Sequence, residues 1–556
     1  MRSHLSCLPI LLGVAALAQA QPFIAYRGIY NVASYMPPGL PGSAIARGSA
    51  FALFGKNIGP TSTPPLAFPL GTTLGGVSIQ VTQGATTVNA IPIGFGGGQI
   101  NAIMPSNAPL GAASLVVTFN NAKSNSIPVQ IVNSNFGIFT ANSAGDGPGI
   151  FQNFVDASNL PINSLQTPAR PGQTIIGWGT GLGPAPFADN VLPTPGNLPV
   201  QTEVFVGGKK ASVQYNGRSG CCASIDQVVF QVPDGVPFGC WVPVYIRTGG
   251  TAVSNTATMA ITADGSPCQE PNNALASVLI KGGTAGSYAP TRITVRHDVG
   301  ARSPIDATTD TFGAYQAQEK PGPFNFNPMF SLPPAGTCTT YSIIGDHVND
   351  KNATIPGMTP PTGRALDSGS INVGGAKVSK TTQGGGYPGM TGTPLAGSIP
   401  SLPLTKTSAL DPGQLSATLA GGADIGAVNA NFTVPPPFTW TNRDQLQSIT
   451  RSSGINLTWT GGDPNAAIFI TGAGTDLPSN STELFLCIAP PGTTSFTVPP
   501  DILANIPAAR ARQVQSRGVL YLGQWNIANP VQVGASGLDF GSLVPTYVAG
   551  KTVAFH

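Results

Sequence analysis

"FALFGKNIGP" fills residues 51–60 and "IIGWGTGLGP" fills residues 175–184. Both end in Gly-x-x-Ile/Leu-Gly-Pro after an apolar run, so one chain carries the same unusual phrase twice. A phosphate cradle needs strand–helix context around the glycines or a Lys-Ser/Thr ending, and neither copy has either. Gly55 and Gly59, like Gly179, Gly181 and Gly183, instead suit a bulged or sharply bent strand stopped by Pro60 or Pro184. The phrase is therefore read as architecture written twice.

The stretches downstream of the two copies agree in order and spacing. After the first come "LGGVSIQV" (74–81), "GGQINAIMP" (97–105), "PLGAASLVVTF" (109–119) and "KSNSIPVQI" (123–131). After the second come "QTEVFVGG" (201–208), "IDQVVFQVP" (225–233), "PFGCWVPVYI" (237–246) and "VSNTATMAI" (253–261). In both, a Gln opens an alternating stretch that stops at Pro (Gln99 to Pro105, Gln227 to Pro233), a Gly opens the next (Gly111, Gly239), and Ser-Asn introduces the last (Ser124-Asn125, Ser254-Asn255).

Each copy reads as β. In "TEVFVGGKKASVQY" Val204 and Val206, then Ala211, Val213 and Tyr215, recur at period two around a Gly-Gly turn, the pattern of a hairpin with one buried face. "WVPVYIR" repeats the alternation with Val242, Val244 and Ile246. Short strands at regular spacing point to antiparallel sandwiches. Composition agrees: Gly (70) and Pro (54) exceed a fifth of the 556 residues, and these are the two worst residues for a helix interior. Charged residues are only 9 %, against about 25 % in an average soluble protein. With 26 Lys and Arg against 23 Asp and Glu and no basic run, the chain carries no electrostatic footprint for nucleic acid or an anionic membrane. The expected fold class is all-β: tandem Ig-like β-sandwiches at 21–134 and 135–263, a linker "DGSPCQEP" at 264–271, and a β-rich C-terminal region at 272–556.

The run from Asn31 to Ile261, with "YNVASY", "FGKNIGP", "GQINAIMP", "NFGIFT", "WGTGLGP", "CCASIDQVVFQVP" and "VSNTATMAI", resembles the two-part β-domain that recurs in secreted proteins of Solibacter-type Acidobacteria. That family is similar to the Ig-like TIG/IPT modules of extracellular proteins. The resemblance implies export and a binding or spacer role, and it offers no catalytic residues to transfer. "NFGIFTANSAGDGPGIFQN" (135–153), between the copies, fits the same pattern as the first strand of module two with its connector.

Residues 1–20, "MRSHLSCLPILLGVAALAQA", read as a signal peptide cleaved after Ala20: a basic start, an apolar stretch and an A-x-A ending. The apolar run is shorter than the ~20 residues of a spanning helix, and no later stretch is long and apolar enough to be one. Export makes the six remaining cysteines disulfide candidates: Cys221, Cys222, Cys240, Cys268, Cys338 and Cys487. The first four are expected to pair among themselves, adjacent Cys221 and Cys222 with separate partners, leaving Cys338 with Cys487. No metal or other cofactor is expected, because His297, His347 and His556 all lie away from the cysteine cluster.

The C-terminal region offers β patterns at "ASVLI" (276–280), "TRITVRHDV" (291–299), "GQLSATLAG" (413–421), "INLTWTG" (455–461), "AAIFITG" (466–472), "ELFLCIA" (483–489) and "TSFTVPP" (494–500), with "GGDPN" (461–465) as a hairpin turn. Only "PDILANIPAARARQV" (500–514) has helical composition, and Pro507 interrupts it. The region is one large sandwich closed by Cys338 and Cys487, or two smaller ones split near residue 395.

Catalytic constellations are sparse, and no catalytic residue is assigned. His297 and Asp298 are neighbours on a strand and point to opposite faces. Asp346, His347, Asn349 and Asp350 suit a solvated turn or a cation, and "DSGSI" (367–371) lacks the second glycine of a nucleophile elbow. For sugar stacking the region offers Trp440, Tyr521 and Trp525, with Trp440 the best candidate for exposure and Trp459 expected in the core. The leading expectation is a secreted, non-catalytic binding or adhesion protein contacting a glycan, matrix or surface protein. A fibre or coat assembled by self-association through edge strands comes second, and a hydrolase with clustered carboxylates in the C-terminal half third.

Overall fold

The computed structural model of the chain describes residues 21–271, 273, 276–297, 305–328, 330–343, 364–378, 402–403, 409–509, 518–526 and 528–556. The signal-peptide stretch 1–20, Asp298, the 346–350 cluster and residue 395 lie outside the described residues.

Module one consists of β1 (Phe23–Asn31), β2 (Ala50–Lys56), β3 (Val77–Gln83), β4 (Thr86–Gly96), β5 (Gln99–Ile103), β6 (Gly111–Phe119) and β7 (Ile127–Val132), paired in the order β1-β2-β5-β4-β3-β6-β7. Module two has β8 (Thr174–Thr180), β9 (Thr202–Val206), β10 (Lys209–Arg218), β11 (Asp226–Gln231), β12 (Gly239–Thr248) and β13 (Ala257–Ile261). Its pairing order β8-β11-β10-β9-β12-β13 repeats that of β2 to β7, and the short stretches Gly137–Ile138 and Phe151–Asn153 take the place of β1 on β8.

One strand in each module turns a ribbon into a sandwich. Thr86–Ala90 of β4 pair with β3, whereas Ile91–Gly96 pair with β5 across a register shift at Pro92/Gly94. The equivalent β10 gives Lys209–Ala211 to β9 and Ser212–Arg218 to β11, with its shift at Val213/Tyr215. A bulge bends the strand enough to serve both layers. Between the layers pack Phe51, Leu53, Ile79, Val81, Ile100 and Leu115 in module one, and Val204, Val206, Val228, Phe230, Val242 and Val244 in module two. The chain is all-β, with tandem Ig-like sandwiches.

The repeated phrase sits where β2 and β8 leave the sheet. A Cβ on Gly55 would strike the Phe23 carbonyl oxygen, and one on Gly181 the Asn135 carbonyl oxygen. Gly181 and Gly183 have φ of +114° and +118°, a region that glycine enters freely. Asn57 holds the position of Gly181 in the first copy, at φ 53°, as a short amide side chain tolerates.

"ASVLI" forms a helix, α1 (Ala276–Lys281), not a strand. Its short apolar run has no period to decide between the two, and the Asn273 side chain and carbonyl accept from the Ala276 N–H at its start. The strands are β14 (Gly283–His297), β15 (Ile305–Glu319), β16 (Cys338–Ile343), β17 (Ile371–Val373), β18 (Ala376–Val378), β19 (Gly413–Leu419), β20 (Val428–Val434), β21 (Phe438–Trp440), β22 (Ile455–Gly461), β23 (Ala467–Asp476), β24 (Ser481–Ala489), β25 (Ser495–Val498), β26 (Gly518–Trp525) and β27 (Thr546–Phe555). A large sheet runs β16-β24-β23-β26-β27-β14-β15, a four-stranded sheet β18-β17-β19-β20, and a three-stranded sheet β21-β22-β25. Strands from both sides of residue 395 share the first two sheets, so no split falls there. "GGDPN" turns, with the Ala466 N–H on the Asp463 carbonyl, but it carries the chain from β22 into a different sheet at β23 and closes no hairpin. Of the described part of "PDILANIPAARARQV", residues 500–509, Pro500–Ala504 alone is helical.

Contacts between units are extensive. Val242, Val244 and Ile246 of β12 face the module-two core, while Trp241 and Tyr245 on its other face are buried against the C-terminal region. The alternation in "WVPVYIR" therefore separates two buried faces. The stretch 264–271 is no free linker, because Cys268 is bonded to Cys240 and the Glu270 carboxylate accepts from the Cys240 N–H.

Candidate functional site

The four-stranded sheet has a dry face and a wet one. Ile371, Val373, Ala417, Leu419, Val428, Ala430, Phe432 and Val434 point inward against Tyr288, Phe312, Val533 and Leu543, which closes one layer of the C-terminal region. Period two then puts Asn372, Gln414, Ser416, Thr418, Asn429, Asn431 and Thr433 outward, and all seven are exposed. Register aligns them in rows: Asn372 beside Thr418 beside Asn429, Ser416 beside Asn431, and Gln414 beside Thr433. The Gln414 amide donates to Thr433 Oγ1 at 2.6 Å.

No residue of β17, β19 or β20 is charged. Lys377 of the edge strand β18 pairs in register with Asn372. An open depression of about 560 Å³ lies on this face, lined by Gly374, Gly375, Gln414, Leu415, Ser416 and Asn431. Gly374 and Gly375, at φ 54° and 83°, make the tight β17–β18 turn that borders it. Amides and hydroxyls each offer donors and acceptors. A flat uncharged array of them matches a neutral polyhydroxyl surface, and a charged ligand would find no counter-ion among the three strands.

The aromatic expectation needs correcting. Trp440 is 6 % exposed: its strand β21 alternates like the others, Phe438 and Trp440 point inward, and Trp440 pairs in register with Trp459, itself in the core. Its Nε1 donates to Asn442 Oδ1 at 3.0 Å. Trp525 is half-buried, its ring centroid 4.8 Å from that of Phe469. Tyr521 is half-buried too, with its ring over Gly550. These rings form no common platform. The sequence signal of this polar face is the absence of charge at every second position of "GQLSATL" and "VNANFTV", which a search for stacking rings does not find.

The cysteines also depart from expectation. Cys221 bonds Cys222, Cys240 bonds Cys268, and Cys338 bonds Cys487. Adjacent residues pair with each other because the β10–β11 loop that carries them lies against module one, where Ala223 packs on Leu70, Ile91 and Ile103, while Cys240 and Cys268 lie in the core shared with the C-terminal region. Cys338 and Cys487 are register partners on β16 and β24, so their bond links neighbouring strands within one sheet. Glu270 adds an acid beside Cys240 and Cys268, but both sulfurs are committed to each other, which removes them as metal ligands.

Three other reactive groups among the described residues are occupied or sealed. Ser368 of "DSGSI" is buried and accepts from the Gln316 amide at 2.8 Å. Glu483 is fully buried, bonded by the Ser342 hydroxyl, and burial pushes its carboxyl up to about 8. Asp146, in the loop between Phe139 and Ile150, is also buried, and burial raises it as well. Paired glycosidase carboxylates must flank a substrate, and neither of these can be reached by one.

No protein-family model matches the chain, and no curated protein does. Among solved structures, a tetra-tandem repeat from the extending region of a large adhesion protein is 13 % identical over 92 % of this chain and 96 % of that one, with a TM-score of 0.13. Domains 5–6 of the S-layer protein SbsC are 10 % identical over 44 % of this chain and 99 % of that one, with a TM-score of 0.16. A Bacteroides ovatus protein, SGBP-B, in complex with a mixed-linkage heptasaccharide is 11 % identical over 86 % and 98 %, with a TM-score of 0.12. TM-scores this low transfer neither a site nor an activity.

Proposed function

We propose that this is a non-catalytic extracellular or cell-surface binding protein, which holds a neutral polysaccharide or matrix polymer against the outward face of β17, β19 and β20. The observation that carries the reading is the seven-residue uncharged polar array beside an open depression. Three disulfides suit an oxidising compartment, and the family resemblance of residues 31–261 points the same way. The test is a glycan array and retention on insoluble polysaccharide, comparing wild type with the double variant Gln414→Ala/Asn431→Ala. Both side chains are exposed, so stability should move by no more than about 0.5 kcal/mol each, while retention falls at least about tenfold, as loss of 1.4 kcal/mol requires. Equal retention of both proteins, or none by either, overturns the reading.

A second reading is favoured by one observation. Strand β20, "VNANFTV", pairs only with β19 among the described residues, and it has neither charge nor proline to guard its free edge. Such an edge could add a strand from a second copy and build a fibre or coat. Sedimentation at two concentrations separates the readings: a glycan binder stays one size, whereas edge pairing makes mass rise with concentration.

A further inference from the structure

The β10–β11 loop holds a feature that neither reading uses. Cys221 and Cys222 are both exposed, whereas the other four bonded cysteines are buried: Cys240 and Cys268 at 2 %, Cys338 at 7 % and Cys487 at 0 %. Thiol–disulfide exchange begins with a thiolate reaching a sulfur along the S–S axis, so access selects which bond reacts. In the folded protein only one of the three bonds offers that access.

The surroundings give the bond a direction. Ser219 Oγ is 3.5 Å from Cys221 Sγ and 3.4 Å from the Cys222 carbonyl oxygen. A disulfide sulfur and a carbonyl oxygen are both acceptors, so the one hydroxyl proton is shared between the Cys222 carbonyl and Cys221 Sγ and can turn onto the sulfur as negative charge develops there. No side-chain donor reaches Cys222 Sγ among the described residues. A hydroxyl within reach of Cys221 that turns onto it stabilises the thiolate that develops there when the bond breaks, and a better-stabilised leaving thiolate leaves faster.

We propose that Cys221–Cys222 is a thiol-exchange site, open in the folded protein, that accepts an incoming thiolate at Cys222 and releases Cys221. The new S–S bond forms between the reagent sulfur and Cys222 Sγ as the Cys221–Cys222 bond breaks. The electron pair leaves on Cys221 Sγ, which takes a proton from water. When the reagent is a dithiol, its second thiolate attacks its own sulfur in the mixed disulfide and displaces Cys222. The dithiol is oxidised by two electrons, and the protein gains two thiols. The site lies on the seam between the modules: next along the loop come Ala223, packed on module one, and Ser224, whose carbonyl accepts from Thr180 Oγ1 at 2.6 Å.

The test uses the full folded chain. Brief treatment with millimolar dithiothreitol, then iodoacetamide and peptide mapping, should alkylate Cys221 and Cys222 and leave the other four cysteines unmodified, with the far-ultraviolet spectrum unchanged. Alkylation of the pair only when the buried bonds also open, or alkylation without any reductant, overturns the proposal. Glutathione, a monothiol, followed by acid quench should leave its adduct on Cys222; an adduct mainly on Cys221 overturns the assigned direction. Ser219→Ala should slow adduct formation by about threefold, because a leaving thiol without the hydroxyl has a higher pKa and departs more slowly. An unchanged rate would show that the hydroxyl plays no part in the step, and the direction would fail with it.

Discussion

Glu483 shows what one buried group does to the whole chain. Its carboxyl sits inside β24 with the Ser342 hydroxyl on one oxygen, while Oε1 is buried with no hydrogen-bond partner. Desolvation disfavours the charged form, hence the rise to about 8 from an ordinary value of 4.5. Across that window the unfolded chain has lost the proton and the folded chain keeps it. Folding therefore takes up a proton, and stability falls as pH rises. The effect is fully expressed only above the folded value, and at 1.36 kcal/mol per unit it is at most about 5 kcal/mol. Burial raises Asp146, and Glu270 to about 7, with the same sign. The melting temperature should drop between about pH 5 and pH 8, and Glu483→Gln, which cannot ionise, should shrink that drop. Thermal melts of both proteins across the range decide it; parallel curves would remove Glu483 as the source.

At the scale of elements, the repeated loop carries the most exacting demand. Gly181 combines φ of +114° with an Asn135 carbonyl oxygen where a Cβ would sit. Gly172, at φ +77°, has nothing within 4 Å of its Cβ position. Gly172→Ala should cost about 1 kcal/mol for the left-handed backbone alone. Gly181→Ala adds a steric clash with backbone and should cost more than about 3 kcal/mol. Denaturant midpoints of the two variants check the difference, and equal costs would mean that the loop gives way. That glycines matter here was legible from the second copy of the phrase, and so were the strands, because one buried face per strand leaves a period of two. Three things were not. The "ASVLI" run is too short to have a period. Trp440 lies in an irregular stretch, "PPPFTWTN", yet its strand still alternates. The vicinal disulfide depended on which cysteines the fold brings near one another, and sequence separation says nothing about that.

For the whole molecule, the decisive contact is the one that joins the two copies. Arg218 and Asp226 form an ion pair, 3 % and 0 % exposed, at the ends of β10 and β11. Asp226 Oδ2 accepts from the Gly181 and Leu182 amides at 2.8 and 2.9 Å, so the pair also holds the repeated loop of module two. Arg218 Nη2 reaches the Gly183 carbonyl at 2.7 Å and, across the seam, the Gly48 carbonyl of module one at 2.8 Å. Around it, Ser106 donates to Asp189, Asn190 to the Leu70 carbonyl, and the Ala50 N–H to Thr180 Oγ1. Charges this deep contribute little net stability while paired, but removing one partner strands the other and costs about 3–5 kcal/mol. Arg218→Met therefore does two things at once: it leaves Asp226 buried without its cation, and it cuts the bond to Gly48. If the seam makes the modules one cooperative unit, wild type should show a single calorimetric transition for both, and the variant should split it, with module two melting first because the stranded carboxylate lies inside it. Limited proteolysis at the lower transition should then cut within residues 137–261 and spare 23–132. A single transition that only moves to lower temperature would confine the ion pair to module two and leave the coupling to the hydrogen bonds of Ser106, Asn190 and Thr180.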